Sequence, residues 1–336
     1  MKGELKLEIY KFSIPEESSE VIIDNVNKLR RLEGKLRKIF YEDGYLETLV
    51  PTFEYVELYK SVYKNLDEST LFKYIDRNGR DIALRWDFTI PISRYYIAQN
   101  KNEIAKYCYF GKVYRKTKEH KGKSSEIYQI GIELVGKRAL EGDIECLELL
   151  KRSLPIFGLK DLKIELGSAG FYNNLCDLVG KDKKEDFSKL LAKKNISGLK
   201  RFCEKYKIER NLSNFIISLP RLNGNIAVLN KTIDTLKYPS LKENLIELKE
   251  LYETMNMKEQ DLFDLACVPN MEYYTGIIFK VYSKYVEEPI ISGGRYDKLY
   301  NNFGRNVPAI GMAYYMDDIL KAVAKVGETN VENSFD

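Results

Sequence analysis

The sequence predicts an α+β fold in which antiparallel strands and amphipathic helices enclose a helical insertion. Three observations carry that prediction. Ile22, Val26, Leu29, Leu32, Leu36 and Ile39 recur at three- and four-residue spacing, which places them on one helix face. The β-rich segments 106–116 and 126–136 are joined by a short lysine-rich connection, "TKEHKGKSS", so antiparallel pairing is the simple arrangement. From about 167 to 258 the chain turns rich in Leu, Lys, Glu and Asn, loses alternation and shows helical spacing in "LKENLIELKELYETM".

The opening amphipathic helix has a stop signal in Gly44. In "LFKYIDRNGRDIALR", 71–85, β-rich arms flank Asn78-Gly79, a dipeptide that readily takes the positive φ angles of a tight hairpin turn. In "DFTIPISRYYIA", Thr89 is the expected N-cap and Pro91 falls in the first helical turn, where a missing N–H does no harm. Asp87 and Thr89 thus sit at a strand-to-helix corner. After the insertion, strand patterning returns at 272–282, Gly293-Gly294 is read as the break between a strand and a helix, and "AIGMAYYMDDIL", 309–320, reads as a strand entering a helix. The expected division is a discontinuous core, 1–166 and 259–325, an insertion, 167–258, and a polar flexible tail, 326–336.

The totals exclude several classes. With 54 basic and 50 acidic residues the net charge is +4, too small for a general polyanion binder, so any nucleic-acid contact must be local. Five scattered cysteines, with no Cys-x-x-Cys pair, indicate neither a disulfide framework nor a zinc site. The N-terminus lacks a signal-like apolar stretch, and no run approaches the length of a membrane span. A cytoplasmic protein without metal or cofactor is expected.

Alternation along 126–136 separates an apolar side, Tyr128, Ile130, Ile132 and Leu134, from a side carrying Gln129, Gly131 and Glu133. A glycine between two polar groups lets a ligand approach the backbone. On the paired strand, Gly111, Val113 and Arg115 share a face, and Arg115 joins Gln129 and Glu133 if that face is the polar one. A solvated sheet face, or a surface ion pair between Arg115 and Glu133, gives the same pattern. Around a free amino acid the set makes chemical sense. A carboxylate and an amide oxygen accept from an ammonium, and a guanidinium forks onto a carboxylate. Asp87 adds an acceptor, and Tyr273 and Tyr274 offer aromatic walls with hydroxyl handles. Asp317 and Asp318 are adjacent carboxylates in a helical first turn, where the helix dipole favours acids.

In order along the chain, "VPTFEY", "LRWDFTIPISR", "YFGKVYR", "EIYQIGIELVG", "EYYTGIIFK", "SGGRYDKLY" and "PAIGMAYYMDDIL" resemble the histidyl-tRNA synthetase branch of the class II aminoacyl-tRNA synthetases. The resemblance implies a class II synthetase-like antiparallel sheet flanked by helices. Motif 1 falls at "VPTFEY", motif 2 around Arg115 and motif 3 at 309–320. It also implies a two-fold dimer built around Val50 to Glu54, and a histidine pocket at Asp87, Thr89, Arg115, Gln129, Glu133 and Tyr274.

Three departures shape the expected function. The synthetase pattern has an ATP-phosphate arginine where this chain has Asp318, and an anion there inverts the field that a nucleotide needs. A second arginine, expected before the Tyr273-Tyr274 pair, is absent from Pro269-Asn270-Met271-Glu272. In the motif 2 loop Thr117 stands where synthetases carry a glutamate near adenine. The chain ends soon after motif 3, without the length for an anticodon-binding domain. This combination resembles the regulatory-subunit family of ATP phosphoribosyltransferase. It implies no catalytic residues, a short-form catalytic subunit as partner, a homodimer within a hetero-oligomer, and L-histidine as feedback effector, with tRNA not expected as a partner. The alternatives are a divergent histidine adenylate-forming enzyme and a synthetase-derived tRNA-binding module. His120, the sole histidine, reads as a solvated loop residue. Lys116, Lys118, Lys121 and Lys123 fit an RNA stem, ATP, an acidic partner or plain solvent, and Gly293-Gly294-Arg295 is explained by a tight turn.

Overall fold

The computed structural model describes residues 13, 14, 18, 23–64, 66–99, 103–116, 124–258 and 261–332. Ile22, Thr117, Lys118, His120, Lys121 and Lys123 lie outside the described residues. Helix α1, Ile23–Glu42, opens the fold. It buries Leu29, Leu32, Leu36 and Phe40, while Val26 and Ile39 are half-buried. Each large apolar side chain so buried contributes roughly 1.5–3 kcal/mol. Gly44, at φ +80°, ends α1: its N–H bonds to Tyr41 O and that of Tyr45 to Phe40 O, a Schellman stop.

Strands β1, Leu46–Glu47, and β2, Phe53–Tyr55, lead into helix α2, Val56–Val62. The hairpin of β3, Lys73–Ile75, and β4, Asp81–Leu84, forms where the sequence predicts it. Its turn differs in detail. Only Gly79 takes positive φ, and Asp76 Oδ1 accepts the N–H groups of Asn78 at 2.8 Å and Arg80 at 2.9 Å, so a three-residue loop replaces the two-residue turn. Helix α3, Thr89–Ala98, follows β4.

Strands β5, Ala105–Tyr114, and β6, Glu126–Val135, pair antiparallel as expected. Helix α4, Glu141–Ser153, and strand β7, Lys163–Ser168, precede a largely helical stretch. That stretch comprises α5, Ala169–Val179, α6, Lys184–Ala192, α7, Ile196–Lys205, and α8, Arg210–Ser218. A two-residue β8, Asn223–Gly224, is followed by α9, Ile226–Thr235, and α10, Pro239–Thr254. The chain closes with β9, Leu262–Asp264, β10, Ile277–Tyr282, β11, Ile291–Arg295, β12, Ala309–Tyr315, and helix α11, Met316–Glu332. Helix α11 therefore runs into the stretch that the sequence reads as frayed.

Nine strands form the main sheet, in the order β1-β5-β6-β12-β11-β10-β7-β9-β8, and β2-β4-β3 form a small second sheet. The main sheet is mixed rather than purely antiparallel, because β1 runs parallel to β5 and β7 parallel to β9. Two further expectations are corrected. The strand expected from 272 begins only at Ile277, since Tyr274 N–H turns back to Met271 O and Thr275 N–H bonds to Arg295 O. Gly293 and Gly294 lie inside β11 rather than at its end. A Cβ on Gly293 would strike the Phe279 ring and Gly311 O, so the glycines serve close strand packing rather than a turn. Among the described residues no helix is long and apolar enough to cross a membrane.

Candidate amino-acid cleft

Register settles which face Arg115 shares. Gly111 pairs with Gln129 and Tyr109 with Gly131 across β5 and β6, so both strands present these residues to one side. Arg115, just past β5 and in phase with Gly111 and Val113, therefore reaches the polar face. On β12, Tyr315 pairs with Gln129 and Gly311 with Glu133, which extends the same face by one strand.

All seven residues singled out in the sequence line one cleft: Asp87, Thr89, Arg115, Gln129, Glu133, Tyr273 and Tyr274. The cleft holds about 410 Å³ of empty space, part of it open to solvent. Phe88, Tyr109, Met271, Ser292, Tyr296 and the β12 residues Gly311, Met312, Ala313 and Tyr315 complete the wall and escape the sequence reading. Gly311 and Tyr315 carry a usable signal, because alternation along 309–315 puts both on one face. Tyr296 follows a strand end and carries no periodic signal.

Asp87, Gln129 and Glu133 are buried. Thr89 is not the N-cap. It is the first residue of α3, and its hydroxyl donates to Glu133 Oε1 at 2.6 Å instead of closing the helix end. Asp87 takes over that task, accepting the Ile90 N–H at 3.1 Å on Oδ1 and the Tyr63 hydroxyl at 3.2 Å on Oδ2. Glu133 Oε2 accepts the Tyr296 hydroxyl. Neither Asp87 nor Glu133 has an ion-pair partner among the described residues, so the Arg115–Glu133 pair is not made. Burial pushes the Asp87 carboxyl up to about 6 and the Glu133 carboxyl up to about 8, against the hydrogen bonds that favour their charged forms.

Arg115 sits over the Trp86 ring, its guanidinium carbon 4.6 Å from the ring centre, and its Nε donates to Trp86 O at 2.9 Å. Among the described residues the remaining guanidinium N–H groups have no other hydrogen-bond partner. Tyr273 packs edge-on against Tyr274 at 5.3 Å and against Tyr296 at 5.5 Å, and all three line the cleft. Two buried acceptors, an amide and one guanidinium suit a small zwitterion bearing further N–H groups.

Neither Asp317 nor Asp318 lines the cleft. Asp317 Oδ2 accepts the Tyr128 N–H at 3.3 Å, while Asp318 pairs with Lys321 at 3.2 Å on its own helix. Both aspartates have structural partners. Among the described residues no His, Cys, Asp or Glu cluster could hold a metal ion.

The histidyl-tRNA synthetase family profile matches residues 18–319. An ATP phosphoribosyltransferase regulatory subunit of Lactococcus lactis subsp. lactis (strain IL1403) is 38% identical over 322 residues, covering 95% of this chain and 98% of the relative. One from Bacillus cereus (strain G9842) is 31% identical over 334 residues, covering 97% of this chain and 80% of the relative. Among solved structures, an ATP phosphoribosyltransferase regulatory subunit/histidyl-tRNA synthetase from Bacillus halodurans C superposes with a TM-score of 0.83 at 28% identity, covering 93% of this chain and 83% of that one. A histidine–tRNA ligase subunit from Alicyclobacillus acidocaldarius shares the fold, with a TM-score of 0.79 at 23% identity over 94% of this chain and 98% of that one. The chain belongs to the ATP phosphoribosyltransferase regulatory subunit family, built on the histidyl-tRNA synthetase fold.

Proposed function

We propose that this chain is a non-catalytic, cytoplasmic subunit that a short-form ATP phosphoribosyltransferase catalytic subunit needs for activity. It senses L-histidine in the cleft for feedback inhibition of the first step of histidine biosynthesis. One observation carries the reading. Two buried carboxylates, with no ion-pair partner among the described residues, face the same cleft as Gln129 and Arg115, while the resemblance to the synthetases puts acidic Asp318 at the position of their phosphate arginine. A ligand that brings an ammonium, imidazole N–H groups and a carboxylate would satisfy this set. A nucleotide triphosphate would meet an anion in place of its cation.

The subunit acts as a homodimer within a hetero-oligomer. Exposed apolar side chains around motif 1 support this: Leu49 is 88% and Phe53 52% exposed, and Tyr74 packs edge-on against Phe53. A lone monomer has little use for such a patch, whereas an isologous interface would cover it.

Calorimetric titration with L-histidine and a panel of other amino acids tests the sensing role. Selective, saturable histidine binding is expected. Amino-acid-dependent exchange between ATP and pyrophosphate by the purified chain would replace this reading with an adenylate-forming enzyme.

A further inference from the structure

The chain's net positive charge is concentrated in one part of the helical stretch. Between 181 and 207 stand ten lysines and arginines against four acidic residues, an excess larger than the +4 of the whole chain, so the remainder is slightly acidic. Helices α6 and α7 bury Phe187, Leu191, Leu199 and Phe202, which turns their other faces outward.

Three of the four acidic residues are already engaged. Glu185 pairs with Lys189 at 2.5 Å, Asp182 with Lys183 at 3.3 Å, and Asp186 accepts the Tyr206 hydroxyl at 3.3 Å. Lys184, Lys193, Lys200, Arg201, Lys205 and Lys207 make no ion pair among the described residues, and all six are exposed. Unscreened like charges on adjacent helices cost stability, and a matching anionic surface would relieve that cost.

Two macromolecular partners have such a surface, and the details separate them. Single-stranded RNA needs open aromatic faces for stacking. Here the Tyr206 ring is covered, with Lys205 Nζ 4.7 Å and Lys183 Nζ 5.6 Å from its centre. Nine of the ten cations are lysines, which lack the guanidinium fork that grips phosphate in two places. A folded protein with an acidic patch asks for neither feature. We infer that the outward face of α6 and α7 docks an acidic surface of the catalytic phosphoribosyltransferase subunit, an inference that rests on the regulatory reading above.

The test uses the full chain and the purified short-form catalytic subunit. The triple variant Lys193→Glu, Lys200→Glu, Arg201→Glu and its neutral counterpart Lys193→Gln, Lys200→Gln, Arg201→Gln are compared with the parent by surface plasmon resonance. Measurements are made at about 50 and about 300 mM salt. The parent should bind and weaken with salt. The Glu variant should lose about tenfold or more in affinity at low salt, mainly through slower association, and the Gln variant less. Both should show a flatter salt dependence with histidine binding unchanged.

Parent-like affinity and salt dependence in both variants would overturn the docking surface and leave the regulatory reading standing. Variants that lose affinity for a single-stranded RNA injected as a second analyte, and none for the catalytic subunit, would overturn it in the same way. A parent chain that does not bind the catalytic subunit at all would instead remove the regulatory reading, and this inference with it. Should the Glu variant misfold, the neutral variant decides by the same criteria.

Discussion

Tyr296 and Glu133 meet across β12: the phenol donates to Glu133 Oε2, and the carboxylate fills the space that a Cβ on Gly311 would occupy. Glu133 lies on β6 and Tyr296 just beyond β11, so the strand between them must carry a glycine at that point. Burial, two hydroxyl donors and a bare backbone together hold this carboxyl in place.

Gly311→Ala should therefore damage the cleft from behind. The new methyl collides with the Glu133 carboxylate and with Ile132 O, so the side chain must leave its two hydroxyl donors. An overpacking cost of about 1–3 kcal/mol in stability is expected. A thermal melt and a histidine titration of the variant check both effects; unchanged binding would show that Glu133 does not need its observed position.

Gln129→Ala and Glu133→Ala should each weaken histidine binding by roughly tenfold to a hundredfold, the equivalent of about 1.5–3 kcal/mol for a hydrogen bond to a charged group. Folding should survive, because neither side chain belongs to the apolar face of β6. In the reconstituted complex both variants should relieve histidine inhibition while leaving activity without histidine largely intact. Calorimetry paired with that assay reads both effects. Parent-like binding in both would mean that the ligand sits elsewhere.

The raised carboxyls make a pH prediction for the ligand-free chain. Burial holds Glu133 at about 8 and Asp87 at about 6, above their ordinary 4.5 and 3.8. The folded state then keeps protons that the unfolded chain has released, so stability falls as pH rises across that interval. The contribution of neutral Glu133 is complete below about pH 4.5 and lost as pH rises through about 8. Glu133→Gln removes the titration while keeping the shape. Its stability advantage over the parent in urea melts should be larger at pH 8 than at pH 5. An advantage independent of pH would show that Glu133 is ionised in the empty cleft.

Much of this arrangement is legible in the sequence. Alternation in 126–136 separates Gln129 and Glu133 from the buried Ile130 and Ile132 without any knowledge of neighbours, because a strand has only two faces. Arg115 stays conditional until pairing is known, since only the register of Gly111 against Gln129 says which face it shares. Thr89 shows the limit of local rules. Its type and position suit an N-cap, yet a buried carboxylate on strand β6 takes its hydroxyl. Gly293 and Gly294 mislead for the same reason. Two glycines read locally as a turn, whereas the Phe279 ring on the neighbouring strand is what requires Gly293, and Ile277 O with the Ile278 and Tyr274 side chains crowd Gly294. Tyr296 reaches Glu133 across 163 positions of chain, a tertiary contact that no periodicity encodes.

The motif 1 patch gives a prediction about assembly. Phe53→Asp places a charge in an exposed apolar surface, where it costs an isolated chain little. The parent should sediment as a dimer at micromolar concentration and the variant as a monomer, with similar circular dichroism. A monodisperse monomeric parent would contradict the homodimer.

The most direct measurement is the activity of a short-form ATP phosphoribosyltransferase catalytic subunit assayed with and without this chain, each over a titration of L-histidine. The account predicts that activity depends on the chain and falls as histidine rises, while Glu133→Ala sustains activity but resists histidine. A catalytic subunit equally active alone, and equally sensitive to histidine without this chain, would contradict it.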